Sequence, residues 1–374
     1  MKVALLSDCY LPRLGGIEVQ THDLAHQLAA LGHEVEVFTA TPGASGERHG
    51  TVTVVDDIPV HRLAARLPAD LPVNPWAPPE LRRRLVAGGF DVAHVQTGVV
   101  SPFAWDATRV AVGLGLPTAM TWHCMLNGVS PMFRAARFVR SWADHGVAMS
   151  AVSSVAAAPL RRLVAGHEVG VLPNGIDVSR WAGTPRPRKP GPLRLVTAMR
   201  LAARKRPVPL LELVRRAESL VGAGSLMLTI LGDGPGRRAL EAYIREHDLT
   251  WARLPGRVPR DDLRSLYAGS DLYLSPAHLE SFGIAALEAR TVGLPVIGRS
   301  GSGIGEFVTH GVNGLVVDDD AEMAHAIARL ARDPAELERM RAWNIANPPA
   351  QDWPTVAAQA IREYDRAIRG GSAR

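Results

Sequence analysis

The stretch Ala277-His-Leu-Glu-Ser-Phe-Gly-Ile-Ala-Ala-Leu-Glu-Ala-Arg-Thr-Val-Gly-Leu-Pro-Val-Ile297 decides the fold. Before it, Asp271-Leu-Tyr-Leu-Ser275 has the length and apolarity of a buried strand. Apolar residues then recur at helical spacing from Ile284 to Val292, and Gly293-Leu-Pro295 ends the predicted helix before Val296-Ile297 begins another strand. Strand, loop, helix and strand in this order predict a parallel α/β sheet.

Two carboxylates bracket the start of this helix. Glu280 lies in the preceding loop, where free amide groups favour anions, and Glu288 lies two turns further on. Eight residues of helix rise about 12 Å, more than the roughly 5–9.5 Å between the paired carboxyls of a glycoside hydrolase. The pattern favours a long ligand with an anionic middle, such as a diphosphate between a ribose and a hexose. The alternative is a helix with one solvated and one capping glutamate.

A βαβ unit opens the chain. The predicted strand Lys2-Val-Ala-Leu-Leu-Ser7 is followed by a loop ending in Gly15-Gly16, a helix from Ile17 to Leu31, and the strand Val35-Glu-Val-Phe-Thr39. The glycines allow close approach of backbone amides to a ligand, and the helix start favours phosphate. A tight turn without a ligand is the alternative.

Two further predicted strands end in candidate binding residues. His123 follows the strand that begins at Pro117, and the carboxyl end of a parallel strand is where open α/β sheets bind ligands. Arg200 and Lys205 follow the strand Leu193-Arg-Leu-Val-Thr-Ala198. Two cations on such a loop can hold a diphosphate and neutralise a leaving group, although a solvated basic loop has the same composition.

Gly232-Asp-Gly-Pro-Gly236 lies between a predicted strand and a predicted helix. This spacing also occurs in dinucleotide-binding folds, so an NAD-dependent oxidoreductase is a competing interpretation, although the signal alone is weak. That interpretation gives no reason for the pair Glu280 and Glu288.

Length and composition set the remaining limits. A chain of 374 residues with 21% charged and 47% hydrophobic residues predicts two globular domains. The net charge of +5 is compatible with an anionic substrate or an acidic membrane surface, and it is equally compatible with a protein that binds neither. Two cysteines indicate a cytoplasmic protein, and no apolar run approaches the roughly 18 residues needed to cross a bilayer.

Two segments raise questions of membrane and metal binding. Between Pro131 and Val147, aromatic residues alternate with Arg134, Arg137 and Arg140, a pattern found in helices at membrane interfaces and also in ordinary surface helices. The run Asp318-Asp-Asp320 follows a predicted strand, where helix-capping acids are common, so we expect no metal site there.

Several of these motifs together resemble the large glycosyltransferase family four, which includes sucrose synthases and bacterial lipid mannosyltransferases. The family has a Glu-x7-Glu element like Glu280 to Glu288, and an Arg-Leu-x-x-x-Lys pattern like Arg200 to Lys205, where Met199 replaces a common glycine. It often has His-x-His where this chain has His94 and Gln96. Further matches are Gly15-Gly16-Ile17-Glu18, Asn174-Gly-Ile-Asp177, Leu254-Pro-Gly-Arg-Val258 and Gly311-Val-Asn-Gly-Leu-Val317.

The resemblance implies the GT-B architecture, in which two doubly wound α/β domains face each other across an active-site cleft. We expect an N-terminal domain over residues 1–183, a linker over 184–192 that contains four prolines, a nucleotide-sugar-binding domain over 193–350, and a C-terminal helix within 351–374 that returns to the first domain. The implied reaction is retaining transfer of a hexose from a UDP- or GDP-sugar to a hydroxyl acceptor, which is a lipid, a glycan or a small metabolite.

The resemblance also implies the roles of individual residues, without a metal, a cofactor or a nucleic-acid partner. Glu288 would hold the ribose, and Glu280 and His123 the donor hexose. The implied catalytic residues are Glu280, His123, Arg200 and Lys205. The implied nucleotide-sugar-binding residues are Gly15, Gly16, Arg200, Lys205, Arg257, Val258, Glu280, Phe282, Gly283, Ile284 and Glu288. An inactive nucleotide-sugar-binding protein on the same scaffold is the other alternative.

Overall fold

A computed structural model describes residues 1–13, 15–43, 49–64, 74, 76–126, 137–183 and 190–372. The strands in this part of the chain are β1 (Lys2–Ser7), β2 (Glu34–Thr39), β3 (Thr51–Val55), β4 (Ile58–Arg62), β5 (Val92–Thr97), β6 (Thr118–Trp122), β7 (Ala148–Ala151), β8 (Val169–Val171), β9 (Leu193–Ala198), β10 (Leu226–Leu231), β11 (Ala252–Gly256), β12 (Leu272–Ser275), β13 (Val296–Arg299) and β14 (Gly314–Val317).

The α-helices in the same residues are α1 (Gly16–Ala30), α2 (Ala77–Gly88), α3 (Pro102–Gly113), α4 (Phe138–Asp144), α5 (Ser154–Leu163), α6 (Val178–Trp181), α7 (Pro207–Val221), α8 (Arg237–Glu246), α9 (Arg260–Ala268), α10 (Ile284–Val292), α11 (Asp320–Arg332), α12 (Pro334–Ala346) and α13 (Trp353–Ser372). Strands and helices alternate along most of the chain, as the hydrophobic periodicities predict.

The chain forms two compact units, one of Met1–Gly175 with Gln351–Arg374 and one of Ile176–Ala350. The first contains a sheet in the order β3-β4-β2-β1-β5-β6-β7-β8, which is parallel apart from the antiparallel hairpin of β3 and β4. The second contains a parallel sheet in the order β11-β10-β9-β12-β13-β14. Both orders are doubly wound, so the expected α/β fold class is confirmed.

Helix α13 packs against the sheet of the first unit, with contacts to β5, β6, β7 and α1. Its buried residues recur every three or four positions, which places them on one face of the helix. That face joins the core of β1 and α1, and its buried members are Trp353, Val356, Ala360, Tyr364 and Ala367. The C-terminal segment is thus part of the first unit.

The units divide after Gly175, whereas composition predicts a boundary after residue 183. The intervening helix α6 packs within the second unit, where the Trp181 ring lies 6.0 Å from that of Tyr267 and Arg264 donates a hydrogen bond to the Ala182 carbonyl over 2.7 Å. Proline content marks irregular chain but does not reveal which core the flanking residues join. Most of the expected linker, residues 184–189, lies outside the described residues.

Among the described residues, no helix combines the length and the apolarity that a membrane crossing requires.

Candidate functional site

In the second unit, the strand order reverses between β9 and β12. Ligands of open α/β sheets bind outside the carboxyl ends of the strands at such a reversal. Arg200 and Lys205 follow β9, and the segment from Glu280 to Gly283 follows β12. The fold therefore brings the predicted cations and the first predicted carboxylate to the same place at the edge of one sheet.

The loop that carries Arg200 is held by backbone packing. A Cβ on Gly232 would lie 2.0 Å from the Met199 carbonyl oxygen, so only glycine fits there. Leu201 N–H donates to the Asp233 carbonyl over 3.0 Å, and Gly236 N–H donates to the Leu201 carbonyl over 2.7 Å. The glycines at 232 and 236 thus support the segment 199–201, and they follow the second strand of this sheet, whereas a dinucleotide fingerprint follows the first.

Lys205 and Glu280 form an ion pair between Nζ and Oε2. The Glu280 backbone is fixed by Gly303, whose N–H donates to the Glu280 carbonyl over 2.7 Å. A Cβ on Gly303 would lie 2.2 Å from the Ser281 carbonyl oxygen, so the glycine-rich loop after β13 packs directly on the Glu280 loop. Two residues with separately predicted roles are therefore in contact.

Gly283 is the N-cap of α10 and has a φ of 94°, which favours glycine. Phe282 beside it is buried, and Ile284 begins the helix. Because α10 begins only at Ile284, the expected rise of eight helical residues between Glu280 and Glu288 is wrong. The first amide groups of α10 lie at this helix start, where the sequence predicts that an anion binds.

Glu288 is buried, with 8% of its side chain exposed, and its Oε1 lies 3.6 Å from Arg260 Nε. The alternative of a solvated glutamate on the outside of a helix is therefore wrong for this residue. A carboxylate in such a setting is held in place by its surroundings. It can accept hydrogen bonds from a ligand without losing much conformational freedom.

Arg257 and Val258 follow β11, the edge strand of the same sheet. Arg257 is exposed and Val258 is half-buried. Gly256 before them has a φ of 89°, and its carbonyl accepts a hydrogen bond of 2.8 Å from Gly232 N–H. These residues lie at the carboxyl ends of the strands, two positions along the sheet from β9.

The acidic run Asp318-Asp-Asp320 has a structural role. Asp319 is the N-cap of α11 and accepts from Glu322 N–H over 2.8 Å, as expected for a capping acid. Asp320 instead binds Arg206 through both carboxylate oxygens, at 2.8 and 2.7 Å, and pairs with the buried Arg299. The sequence suggests no such role for Asp320, because both arginines are distant along the chain.

In the first unit, Gly15 is the N-cap of α1 and Gly16 is its first residue. The strand order of this sheet reverses between β1 and β5, and the glycine loop follows β1. The Glu18 carboxylate lies against Gly15 and its Oε1 is 3.5 Å from Arg13 Nε. The start of α1 thus already holds an acidic side chain.

His123 follows β6, and its Nε2 lies 2.5 Å from Gln96 Oε1. Burial lowers the pKa of His123 to about 4, and a hydrogen bond with the Asn174 side chain opposes this shift. The imidazole is therefore neutral at neutral pH. When Gln96 accepts from Nε2–H, that hydrogen bond fixes the tautomer of the ring.

The contacts of His123 continue into the core of the first unit. Gln96 Nε2 lies 3.1 Å from His94 Nε2, and His94 Nδ1 lies 2.9 Å from the Tyr364 hydroxyl on α13. Burial lowers the pKa of His94 to about 3. A cavity of about 20 Å³ borders this chain of side chains and is also lined by Trp353. Sequence reasoning missed Tyr364, because nothing local links the last helix to β5.

One carboxylate in this unit, that of Asp8, also has a perturbed pKa. Asp8 follows β1, and its Oδ1 accepts from Phe103 N–H at the start of α3 over 3.0 Å. Burial raises the pKa of Asp8 to about 6, and hydrogen bonds with Phe103 and Ser101 oppose the shift. The sequence marks only the position of Asp8 after a strand.

The segment predicted as a basic aromatic helix is described from residue 137 onward, and residues 131–136, which include Arg134, lie outside the described residues. In α4, Val139 and Trp142 are buried, and the Phe138 ring lies 4.9 Å from Trp142 and 5.3 Å from Trp105. These aromatic rings pack within their own unit.

Comparison with known proteins gives matches over both halves of the chain. Residues 14–180 match the family model described as Glycosyltransferase Family 4, and residues 185–345 match the model described as Glycosyl transferases group 1. The chain is 27% identical to the glycogen synthase of Mycobacterium tuberculosis over 403 residues, which cover 99% of this chain and 96% of that protein.

Two further proteins are similar over nearly their whole length. The GDP-mannose-dependent alpha-mannosyltransferase of Mycolicibacterium smegmatis is 25% identical over 387 residues, which cover 98% of each chain. The crystal structure of Anabaena Alr3699/HepE in complex with UDP has a TM-score of 0.74 at 18% identity, and the match covers 98% of this chain and 100% of that one.

Proposed function

The chain belongs to glycosyltransferase family four and has the GT-B fold, and from this premise we propose that it is a retaining, metal-independent hexosyltransferase that uses a UDP- or GDP-sugar. Its activity is glycosyl transfer from a nucleotide sugar, so the oxidoreductase interpretation of Gly232 to Gly236 is wrong. The retention of configuration, the base and the acceptor belong to the proposal.

One observation carries the proposal. Lys205 from the loop after β9 meets Glu280 from the loop after β12, at the strand-order reversal and next to the start of α10. A diphosphate has two anionic groups and needs cations and amide donors. The hexose on its far side needs a carboxylate that accepts from hydroxyl groups. This arrangement offers all three kinds of group within one unit.

The proposed roles follow from that arrangement. Arg200 and Lys205 bind the diphosphate and stabilise its charge as the glycosidic bond breaks, with the amides at Gly283 and Ile284 assisting. Glu280 accepts hydrogen bonds from the hexose, and the buried Glu288 accepts them from the ribose. Arg257 and Val258 border the base, and Phe282 supports the Glu280 loop from the core.

Three residues of the first unit have proposed roles of their own. Gly15 and Gly16 supply amides at the start of α1, where Glu18 favours a hydroxyl group over a second phosphate because its carboxylate repels anions. His123 is neutral and oriented by Gln96, so it can exchange hydrogen bonds with the hexose. Substitution of Gln96 or Asn174, the two side chains that contact His123, should then alter sugar selectivity more than nucleotide affinity.

The two candidate donor bases, guanine and uracil, each occur in a similar protein. One related protein is named for GDP-mannose, and one solved structure contains UDP. The decisive experiment incubates the enzyme with UDP- and GDP-sugars and measures release of the nucleoside diphosphate. Turnover with one donor class supports the proposal. Binding of a nucleoside diphosphate without turnover on any acceptor would indicate an inactive nucleotide-sugar-binding protein.

The acceptor is a hydroxyl compound from one of three classes, a lipid, a glycan or a small metabolite. Vesicle binding separates the first class from the others. For a lipid acceptor at an anionic membrane, replacement of Arg134, Arg137 and Arg140 by serine should abolish binding to anionic vesicles, because each basic residue contributes about 1 kcal/mol at such a surface. A wild-type protein that does not bind these vesicles would exclude peripheral membrane contact.

A further inference from the structure

A cluster of potential metal ligands lies in the first unit, on helix α1 and the neighbouring β3–β4 hairpin. His22 and His26 are four residues apart on α1, so their side chains share one face of the helix. Asp56 lies in the turn between β3 and β4. One potential ligand atom from each residue lies within 4.8 Å of the other two.

His22 is oriented as metal-binding histidines usually are. Its Nδ1 lies 2.8 Å from the hydroxyl of the buried Tyr10, and its Nε2 lies 3.2 Å from Asp56 Oδ2. A hydrogen bond at Nδ1 directs the other nitrogen and fixes the tautomer that can bind a metal.

His26 supplies a second nitrogen that lacks a protein partner. Its Nε2 is buried and forms no hydrogen bond among the described residues. Its ring centroid lies 4.5 Å from that of His22, in an edge-to-face arrangement. Buried polar atoms normally have partners, so this imidazole nitrogen beside a second imidazole is suited to bind a metal ion.

The turn that carries Asp56 has an unusual backbone. Asp56 and Asp57 have φ angles of 46° and 66°, in the left-handed region that asparagine and glycine adopt more readily. The two-residue turn brings the Asp56 carboxylate to His22, although most of its side chain is exposed. An exposed ligand leaves room for water in the coordination sphere.

We propose that His22, His26 and Asp56 bind a divalent transition metal ion of the Zn²⁺ class, with water at the remaining position. Two imidazoles and one carboxylate form a ligand set that suits Zn²⁺. Metal–ligand bonds of about 2.1 Å at tetrahedral angles place the ligand atoms roughly 3.4 Å apart. The distance of 3.2 Å between His22 Nε2 and Asp56 Oδ2 already fits this value. The distances from His26 to His22 and to Asp56 require small side-chain rotations.

The ion would join α1 to the β3–β4 hairpin. This role is separate from glycosyl transfer, because none of the three ligands is assigned to the donor or to the reaction. Metal binding and metal-free turnover are therefore compatible. Failure of either proposal leaves the other unaffected.

The test titrates untagged, metal-stripped protein with Zn²⁺ in competition with a chromophoric chelator. We expect one ion per chain, and about tenfold or greater loss of affinity in His22→Ala and His26→Ala. Tyr10→Phe should weaken binding about tenfold because it removes the hydrogen bond that orients His22. The control is His167→Ala, because His167 belongs to a separate pair in which its Nε2 lies 2.8 Å from Asp144 Oδ1. The Zn²⁺ affinity of this variant should equal that of the wild type.

A second measurement needs no variant. X-ray absorption at the zinc edge of the wild-type 1:1 complex should show two imidazoles and oxygen ligands. A sulfur ligand, or fewer than two imidazoles, would overturn the proposal. Equal Zn²⁺ affinity of the folded His22→Ala/His26→Ala double variant and the wild type would do the same.

Discussion

Lys205 and Glu280 are ion-paired although they lie 75 residues apart in the chain. Their side chains are 20% and 15% exposed, so water and ions screen the pair only in part. In the proposed mechanism the lysine binds the diphosphate and the glutamate binds the hexose. Donor binding must then divide this pair between two parts of one ligand, and the consequences for affinity and turnover can be measured.

Glu280→Gln should affect product binding and turnover in opposite directions. Loss of the carboxylate releases Lys205 and removes repulsion of phosphate, so nucleoside diphosphate binding should tighten about two- to fivefold. The kcat should fall on the order of tenfold or more, because a charged acceptor for the sugar is lost. Calorimetry and steady-state kinetics measure the two effects, and Glu246→Gln on the exposed face of α8 is the control. A parallel loss of both would show that Glu280 acts by positioning Lys205 for the diphosphate.

Arg200→Ala and Lys205→Ala should each lower kcat/KM about tenfold to a hundredfold, because a charge-assisted hydrogen bond contributes about 1.5–3 kcal/mol. Arg204→Ala, in the same exposed loop, is the matched control and should retain activity. EDTA should leave the initial rate unchanged even if it lowers the melting temperature. Activity lost in EDTA and restored by Mg²⁺ or Mn²⁺ would contradict a metal-independent mechanism.

Glu288→Ala should weaken nucleotide-sugar binding by about tenfold or more, since a buried carboxylate that accepts from a ribose would be lost. The melting temperature should stay within a few degrees, because Arg260 is partly exposed and can be solvated after its partner is removed. Isothermal titration and calorimetric unfolding provide the two readouts. Unchanged affinity in a folded variant would remove Glu288 from the donor site.

Asp320→Ala should destabilise the second unit by about 1–3 kcal/mol, because the buried guanidinium of Arg299 and its neighbour Arg206 would lose their shared carboxylate, which is itself 39% exposed. Asp318→Ala, two residues away and exposed, should change stability by less than about 0.5 kcal/mol. Urea unfolding followed by intrinsic fluorescence compares them. Equal and small effects would show that the ion pairs contribute little.

Acid should destabilise the first unit through His94 and His123. Their pKa values in the folded protein, about 3 and about 4, lie below the ordinary 6.5, so the unfolded chain binds more protons as the pH falls below about 6.5. Stability present at pH 7 should fall by about 2 kcal/mol per histidine at pH 5. His94→Gln should reduce this dependence by about half, and His145→Gln, at an exposed histidine of the same unit, is the control. An unaltered pH dependence in His94→Gln would show that His94 titrates normally.

Local patterns in the sequence predict the alternation of strands and helices and a parallel α/β sheet, because helical and strand periodicities depend on neighbouring residues. The doubly wound arrangement of both domains is what the family resemblance implies. The local patterns also place Arg200, His123 and Gly283 at the carboxyl ends of strands, where doubly wound sheets bind ligands. The spacing of His22 and His26 within a predicted helix is a local signal of the same kind.

Contacts between distant residues depend on the packed structure. Composition places the domain boundary at the proline-rich segment, whereas the packing of Trp181 on Tyr267 moves it to Gly175. The pairing of Lys205 with Glu280 and the approach of Asp56 to His22 follow from how strands and hairpins assemble. No periodicity encodes such contacts, because each requires two separate segments to reach one position in a folded core.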